Sequence, residues 1–157
     1  GKSYYGVLNS SLDYDIYIHK EVFNSVWSKS NVVDKDLVYS AENELLTNNI
    51  CGYENTEMIY DKLGSGATVV SNVRSSKLLG GTIEWFLPSF YELSMMVDID
   101  EVIETLTSVG GTNLFGHTIW TSNVADEYNA WCYADGNATK GGRKLPGEYR
   151  MIGKKKI

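Results

Sequence analysis

The chain has 157 residues, 43% of them hydrophobic and 22% charged, a balance that argues against disorder and for a packed core. Fourteen basic against twenty acidic residues give a net charge of −6, so nucleic acid is not expected as a partner, since its phosphates would be repelled. No apolar run reaches the roughly 18 residues of a membrane span, and no membrane insertion is expected.

The chain starts at Gly1 with no basic-then-apolar leader, which reads as a processed product or a fragment. Residues 3–8 are strand-like, residues 13–19 alternate polar and apolar, and Asn9, Ser10 and Ser11 form the turn of an N-terminal hairpin. Val22, Phe23, Val26 and Trp27 have helical spacing, and residues 37–46 are either a second short helix or an irregular loop. Thr56 caps a helix through Met58, Ile59 and Leu63, with Gly64 as its stop.

The clearest local signal is the run from Leu87 through Pro88 and Ser89 to Leu93. Ser89 and Glu92 form an S-x-x-E capping box, with Leu87 and Leu93 as its hydrophobic staple, so a helix starts there. A second helical start at Asp98 and Glu101 leads into Val102, Ile103 and Leu106 and ends at Gly110 and Gly111. Residues 118–121, 129–133 and 148–152 read as strands, Asp135 and Gly136 as a turn, and residues 140–143 as a loop. The expected fold is α+β in one domain, 1–157: an N-terminal hairpin, two or three helices, then C-terminal antiparallel strands.

Chemistry is sparse. His19 and His117 are isolated, and Asp98 and Asp100 lack the glycine and terminal glutamate of a calcium loop, so neither a metal nor a cofactor is expected. Gly64 to Gly66 and Gly141 to Lys144 lack the strand-loop-helix setting of a phosphate loop. Cys51 and Cys132 are too few for a disulfide framework; they form one bridge or, the preferred reading, stay as two buried free thiols. A Cys132–His117 nucleophile across neighbouring strands is the only enzymatic alternative. Asn9 and Asn137 each begin a glycosylation sequon. The Lys154, Lys155, Lys156 tail reads as a solvated terminus, with a phosphate or sulfate patch as the alternative. Eleven tyrosines and four tryptophans lean towards a recognition surface.

Three fragments carry more. Trp85, Leu87, Pro88, Ser89, Glu92 and Leu93, then Ile119, Trp120, Thr121 and Ser122, then Ala130 and Trp131 with the Asp135–Gly136 turn, resemble in order and spacing the Lcl C-terminal-like family of bacterial surface proteins. Asn55, Thr56, Gly80 and Gly81 also sit where that family has them, and Arg150 and Ile152 match its closing strand, whereas Gly153 stands in place of its second arginine. The resemblance covers about residues 51–153. It implies a C-type-lectin-like fold in which N- and C-terminal strands pair, as in bacterial adhesins and phage fibre tips. It also implies a non-catalytic module that binds a host-surface glycan or protein, exposed on a virion or cell surface, as a homo-oligomer with a trimer favoured. A structural capping or assembly domain is the alternative.

Trp85, Trp120 and Trp131 read as core residues, which leaves binding to the loops between the motifs. Two polar stretches are the candidates: residues 122–129, with Asn123, Asp126, Glu127, Tyr128 and Asn129, and residues 137–144, with Asn137, Lys140 and Arg143.

Overall fold

The computed structural model describes residues 2–4, 14–29, 51–76, 81–126 and 128–156. Within them lie nine strands: β1 (Lys2–Tyr4), β2 (Tyr14–Ile18), β3 (Phe23–Val26), β4 (Glu84–Phe86), β5 (Thr118–Val124), β6 (Asn129–Ala134), β7 (Asn137–Gly142), β8 (Pro146–Tyr149) and β9 (Ile152–Lys156). Four helices accompany them: α1 (Gly52–Leu63), α2 (Thr68–Arg74), α3 (Phe90–Val97) and α4 (Asp100–Ser108). One sheet runs β1-β2-β9-β4 and the other β3-β8-β5-β6-β7. The class is mixed α+β, as the patterning predicts.

Alternation of side chains across these sheets splits the core in two. Trp120, Val124, Ala130 and Cys132 meet Trp27, Trp85, Met151 and the buried faces of α1 and α2, carried by Ile59, Val69, Val70 and Val73. Ile119 and Tyr133, one position out of phase, meet Phe86, Ile152 and the faces of α3 and α4, carried by Phe90, Leu93, Met96, Val102 and Leu106. The five-stranded sheet is therefore apolar on both faces, which is why β5 is buried from Ile119 to Val124.

Pairing of β1 with β2 carries out the expected N-terminal hairpin, although its turn at Asn9, Ser10 and Ser11 lies outside the described residues. Strand β2 pairs antiparallel with β9, Tyr14 opposite Lys156 and Ile18 opposite Ile152, so the two ends of the chain share one sheet. The lysine run is thus part of a paired strand rather than a loose solvated terminus. Lys154 lies opposite both Ile16 and Glu84, with its ammonium 3.4 Å from the centre of the Tyr53 ring and 3.8 Å from the Glu84 carboxylate.

Several local expectations are corrected. Residues 23–26 form a strand rather than a helix, because pairing with β8 seats Phe23 against Tyr149, ring centres 5.6 Å apart, and lets the Trp27 indole N–H donate to the Thr121 carbonyl at 3.0 Å. A short apolar run fits both periods, and the sheet partner decides between them. The candidate element at 37–46 lies outside the described residues. Thr56 caps nothing: α1 starts at Gly52, and Thr56 sits inside it, where its hydroxyl accepts from the Leu87 N–H at 2.9 Å. Gly64 does end that helix, with φ +60°, and α2 follows it without any forewarning in the pattern.

The Ser89 cap is as expected. Glu92 N–H donates to Ser89 Oγ at 3.2 Å, and Ser89 N–H donates to Glu92 Oε1 at 2.8 Å, a reciprocal pair that stabilises a helix start by about 1 kcal/mol. The staple is not formed, since Leu87 and Leu93 lie in opposite halves of the core. Helix α4 begins at Asp100, with Ile99 and not Asp98 as its N-cap residue, one residue later than expected.

Asp135 and Gly136 adopt φ +48° and +92°, the left-handed pair that a type I′ turn needs, and so close a two-residue hairpin. Residues 137–142 are consequently strand β7 instead of loop, in register from Ala134 opposite Asn137 to Asn129 opposite Gly142. Strand β5 meets β8 in parallel, so the closing strands are not all antiparallel.

Candidate functional site

Strand β5 runs three residues further than the pattern suggests. Ser122 and Asn123 are therefore inside the protein, and burial of such groups is tolerated only when they are hydrogen-bonded. Asn123 Oδ1 accepts from the Phe90 N–H at 2.8 Å, at the start of α3. Ser122 Oγ accepts from the Asn55 amide at 3.1 Å, and the Ser122 N–H donates to the Pro88 carbonyl at 2.9 Å. The Thr121 hydroxyl donates to the Trp131 carbonyl at 2.8 Å. These bonds weld β5, α1 and the 87–90 corner together. They give the motif residues Asn55, Thr56, Ser89, Thr121 and Ser122 a structural role. Asn123, a candidate ligand contact, belongs to this network and is 0% exposed, which removes it from the surface.

Beyond Val124 the chain emerges as a tight turn organised by one carboxylate. Asp126 Oδ1 accepts from the N–H groups of Tyr128 and Asn129, both at 2.9 Å, and from the Asn129 amide at 2.9 Å. Asp126 Oδ2 takes the Lys140 ammonium at 3.2 Å. Partial burial works against ionisation here, but the bonds from Tyr128, Asn129 and Lys140 outweigh it and hold the Asp126 carboxyl below its ordinary range. The Arg143 N–H donates to the Tyr128 carbonyl at 2.9 Å and ties the turn to the end of β7. On this frame Tyr128 projects, 58% exposed.

Of the eight sequence-derived candidates, Asp126, Tyr128, Asn129 and Lys140 thus form one surface. Arg143 supplies its backbone only, because its side chain is fully buried, with the guanidinium 4.9 Å from the centre of the Trp27 ring. Asn137 sits at the opposite, turn end of the β6–β7 hairpin, about 17 Å away along five residues of strand. Glu127 lies outside the described residues. Trp131 departs from its expected core position. It is half-buried, with the Lys140 ammonium 5.6 Å from its ring centre, whereas Trp85 and Trp120 are buried.

Next to this surface the curled five-stranded sheet leaves a groove of about 370 Å3. Trp120 and Cys132 line it beside Thr118, Gly141 and Gly147, with Leu145 and Pro146 at its exposed edge. Gly141 and Gly147 let the Trp120 ring lie flush with the floor, since a Cβ at either would come within 2.8 Å of it. No sequence signal marks this groove, because its lining comes from five separate strands.

The thiol alternative meets a positive obstacle. Both cysteines are free, and burial pushes the Cys132 thiol up to about 12, so it is not a thiolate at neutral pH. Trp120, not a histidine, lies opposite Cys132, and His117 Nδ1 faces the Glu148 carboxylate at 3.1 Å. Native Cys132 is expected to resist iodoacetamide at pH 8 while reacting freely in urea; modification at equal rates in both states would revive the nucleophile reading. Among the described residues no group of three His, Cys, Asp or Glu side chains is placed to hold a metal ion, and no helix is long and apolar enough to cross a membrane. No family model, curated protein or solved structure matches the chain.

Proposed function

We propose that this chain is a non-catalytic recognition module of the C-type-lectin-like kind, which binds a glycan or protein on a host surface as part of a phage fibre or bacterial adhesin. The observation that carries this reading is the turn held by Asp126, which presents Tyr128 on a frame fixed before any ligand arrives. Pre-organisation of this kind lowers the entropy cost of binding, and tyrosine offers a wide amphipathic contact at little cost in side-chain freedom. The lectin-like fold is supported by the ordered motifs and by the pairing of β2 with β9.

Binding of the intact chain to a panel of bacterial cells and to a glycan array tests this. Tyr128→Ala is expected to cut binding by at least tenfold, a loss of about 1.4 kcal/mol or more, with the unfolding midpoint unchanged. Asp126→Ala should do the same by loosening the turn. Full binding by both variants would remove the turn from the function.

One observation favours a second reading, an assembly domain that contacts only other subunits. Among the described residues, strand β7 is a six-residue sheet edge with exposed side chains from Asn137 to Lys140, open to another strand. The homo-oligomer, a trimer by resemblance, is part of both readings. Sedimentation of the chain separates them: assembly that Ala138→Pro abolishes, by removing an N–H that points away from β6, with no cell binding, selects the second.

A further inference from the structure

Helix α4 and the loop 110–116 that returns from it enclose a second groove, of about 330 Å3. Ile103, Leu106, Leu114 and Phe115 give it an apolar lining, completed by Thr107, Gly111 and Asn113. Leu106 and Leu114 are buried, whereas Phe115 stands 46% exposed. That exposure is imposed by the loop, which is tied down on both sides of the ring. Asn113 Oδ1 accepts from the Phe115 N–H at 3.1 Å, and Asp135 Oδ1, at the tip of the β6–β7 hairpin, accepts from the Gly116 N–H at 3.0 Å. Further back, the Thr112 N–H donates to the Lys20 carbonyl at 2.8 Å. A large apolar ring fixed in water beside an apolar groove marks a contact surface.

Charge selects the partner. No Lys or Arg occurs between Lys77 and Lys140, a stretch that holds the whole groove together with Asp100, Glu101, Glu104 and Asp135. Residues three and four apart on a helix are neighbours, so Asp100, Ile103, Glu104 and Thr107 form one strip along the groove side of α4. Asp100 and Glu104 are exposed on that strip. Asp135 approaches from the opposite side, through its bond to the residue after Phe115. Lys20 comes up beside Gly111, and its neighbour Glu21, which accepts from the Thr112 hydroxyl at 3.2 Å, offsets it. The positive end of the α4 dipole is already met by Asp100 and Glu101 in the first turn. An anionic partner would therefore face a row of carboxylates, and a wholly apolar one would strip water from them without supplying a counter-charge.

We infer that this groove docks a segment of a partner protein in which a bulky aliphatic or aromatic side chain is flanked by Lys or Arg. The apolar side chain packs on Phe115 and Ile103, and the cations meet Asp100, Glu104 and Asp135. The volume lies at the low end for a binding pocket, which suits an anchoring side chain rather than a whole helix. Asp135 marks the turn end of the β6–β7 hairpin, away from Tyr128, so the two surfaces are separate and this inference does not rest on the receptor reading.

The test titrates the isotope-labelled 157-residue chain with three capped tetrapeptides, Lys-Leu-Phe-Lys, Glu-Leu-Phe-Glu and Lys-Ala-Ala-Lys, and follows the amides of Gly111, Phe115 and Gly116. Lys-Leu-Phe-Lys is expected to shift them saturably with a Kd of about 0.2–2 mM, and each of the other two to bind at least about tenfold more weakly. Raising the salt from about 20 to about 200 mM should weaken it by about threefold or more, since charges this exposed are screened. Phe115→Ala should weaken it by about tenfold, and Glu104→Lys should cut the preference for the basic over the acidic peptide by at least about threefold. Both positions are exposed, so folding is not at stake. Tyr128→Ala should leave all three titrations unchanged. No saturable shift by about 10 mM, equal binding of either control peptide, or indifference to either groove variant would each overturn the inference. Sedimentation covers the remaining occupant: self-association that Phe115→Ala abolishes would give the groove to a second copy of the chain and overturn it as well.

Discussion

Arg150→Ala is expected to destabilise the protein by about 3–5 kcal/mol. Arg150 is 1% exposed, and its guanidinium fork donates to two main-chain carbonyls from distant parts of the chain, Nη1 to His19 at 2.6 Å and Nη2 to Thr112 at 2.7 Å. The same junction is closed by the His19 N–H on the Met151 carbonyl at 3.0 Å and the Thr112 N–H on the Lys20 carbonyl at 2.8 Å. Burial pushes the guanidinium down to about 10, with Glu21 opposing, so it remains charged at neutral pH. Truncation leaves two carbonyls without their donor, at about 1–3 kcal/mol each, together with a cavity the size of the lost stem. Arg150→Lys should recover less than half of the loss, since one ammonium cannot reproduce a planar fork that spans two acceptors. Arg150→Met, which restores volume but no donor, should stay close to alanine. Urea midpoints at pH 7 for the three variants decide the matter: a loss under about 1 kcal/mol for alanine, or equal rescue by methionine and lysine, would mean that the fork is dispensable.

What can be read from the sequence divides by the distance between partners. The Ser89–Glu92 box and the Asp135–Gly136 turn are complete within four residues, so their chemistry is visible in a short window. The role of Asn123 is not, because its partner Phe90 is 33 residues away, and a polar residue after an apolar run looks like the start of a loop until that partner is known. The same holds for Asn55 and Ser122, which are 67 residues apart. Local pattern therefore puts residues 122–124 on the surface, whereas they lie in the core. The candidate turn is partly legible, since Asp126, Tyr128 and Asn129 are near neighbours, but its link to Lys140 requires the hairpin register. The groove is illegible throughout: Asn24, Trp120, Cys132, Gly141 and Glu148 meet only when five strands have curled. Trp120 can be assigned to the core but not to the floor of an opening.

The pH dependence of stability should carry the signature of Glu92. Its Oε1 accepts from the Ser89 N–H at 2.8 Å and from the Gly52 N–H at 3.0 Å, so one buried oxygen joins the starts of α1 and α3. Burial raises the carboxyl to about 7, although the bonds from Ser89 and Gly52 pull the other way. Between about pH 4.5 and 7 the native protein thus holds a proton that the unfolded chain has released. This contribution is fully present below pH 4.5 and lost as pH rises through 7, with a total of about 3 kcal/mol. Glu92→Gln keeps an oxygen acceptor for both N–H groups and carries no charge at any pH. Other carboxylates titrate over the same range, so the informative quantity is the difference in unfolding free energy between the Glu92→Gln variant and the wild-type chain, followed from pH 4 to 8. It should be near its floor at pH 4, climb in favour of the variant between 4.5 and 7, and level off above. A difference that stays flat across the range would mean that Glu92 does not titrate there. One that falls with pH would mean that the ionised carboxylate is the form the two helix starts require.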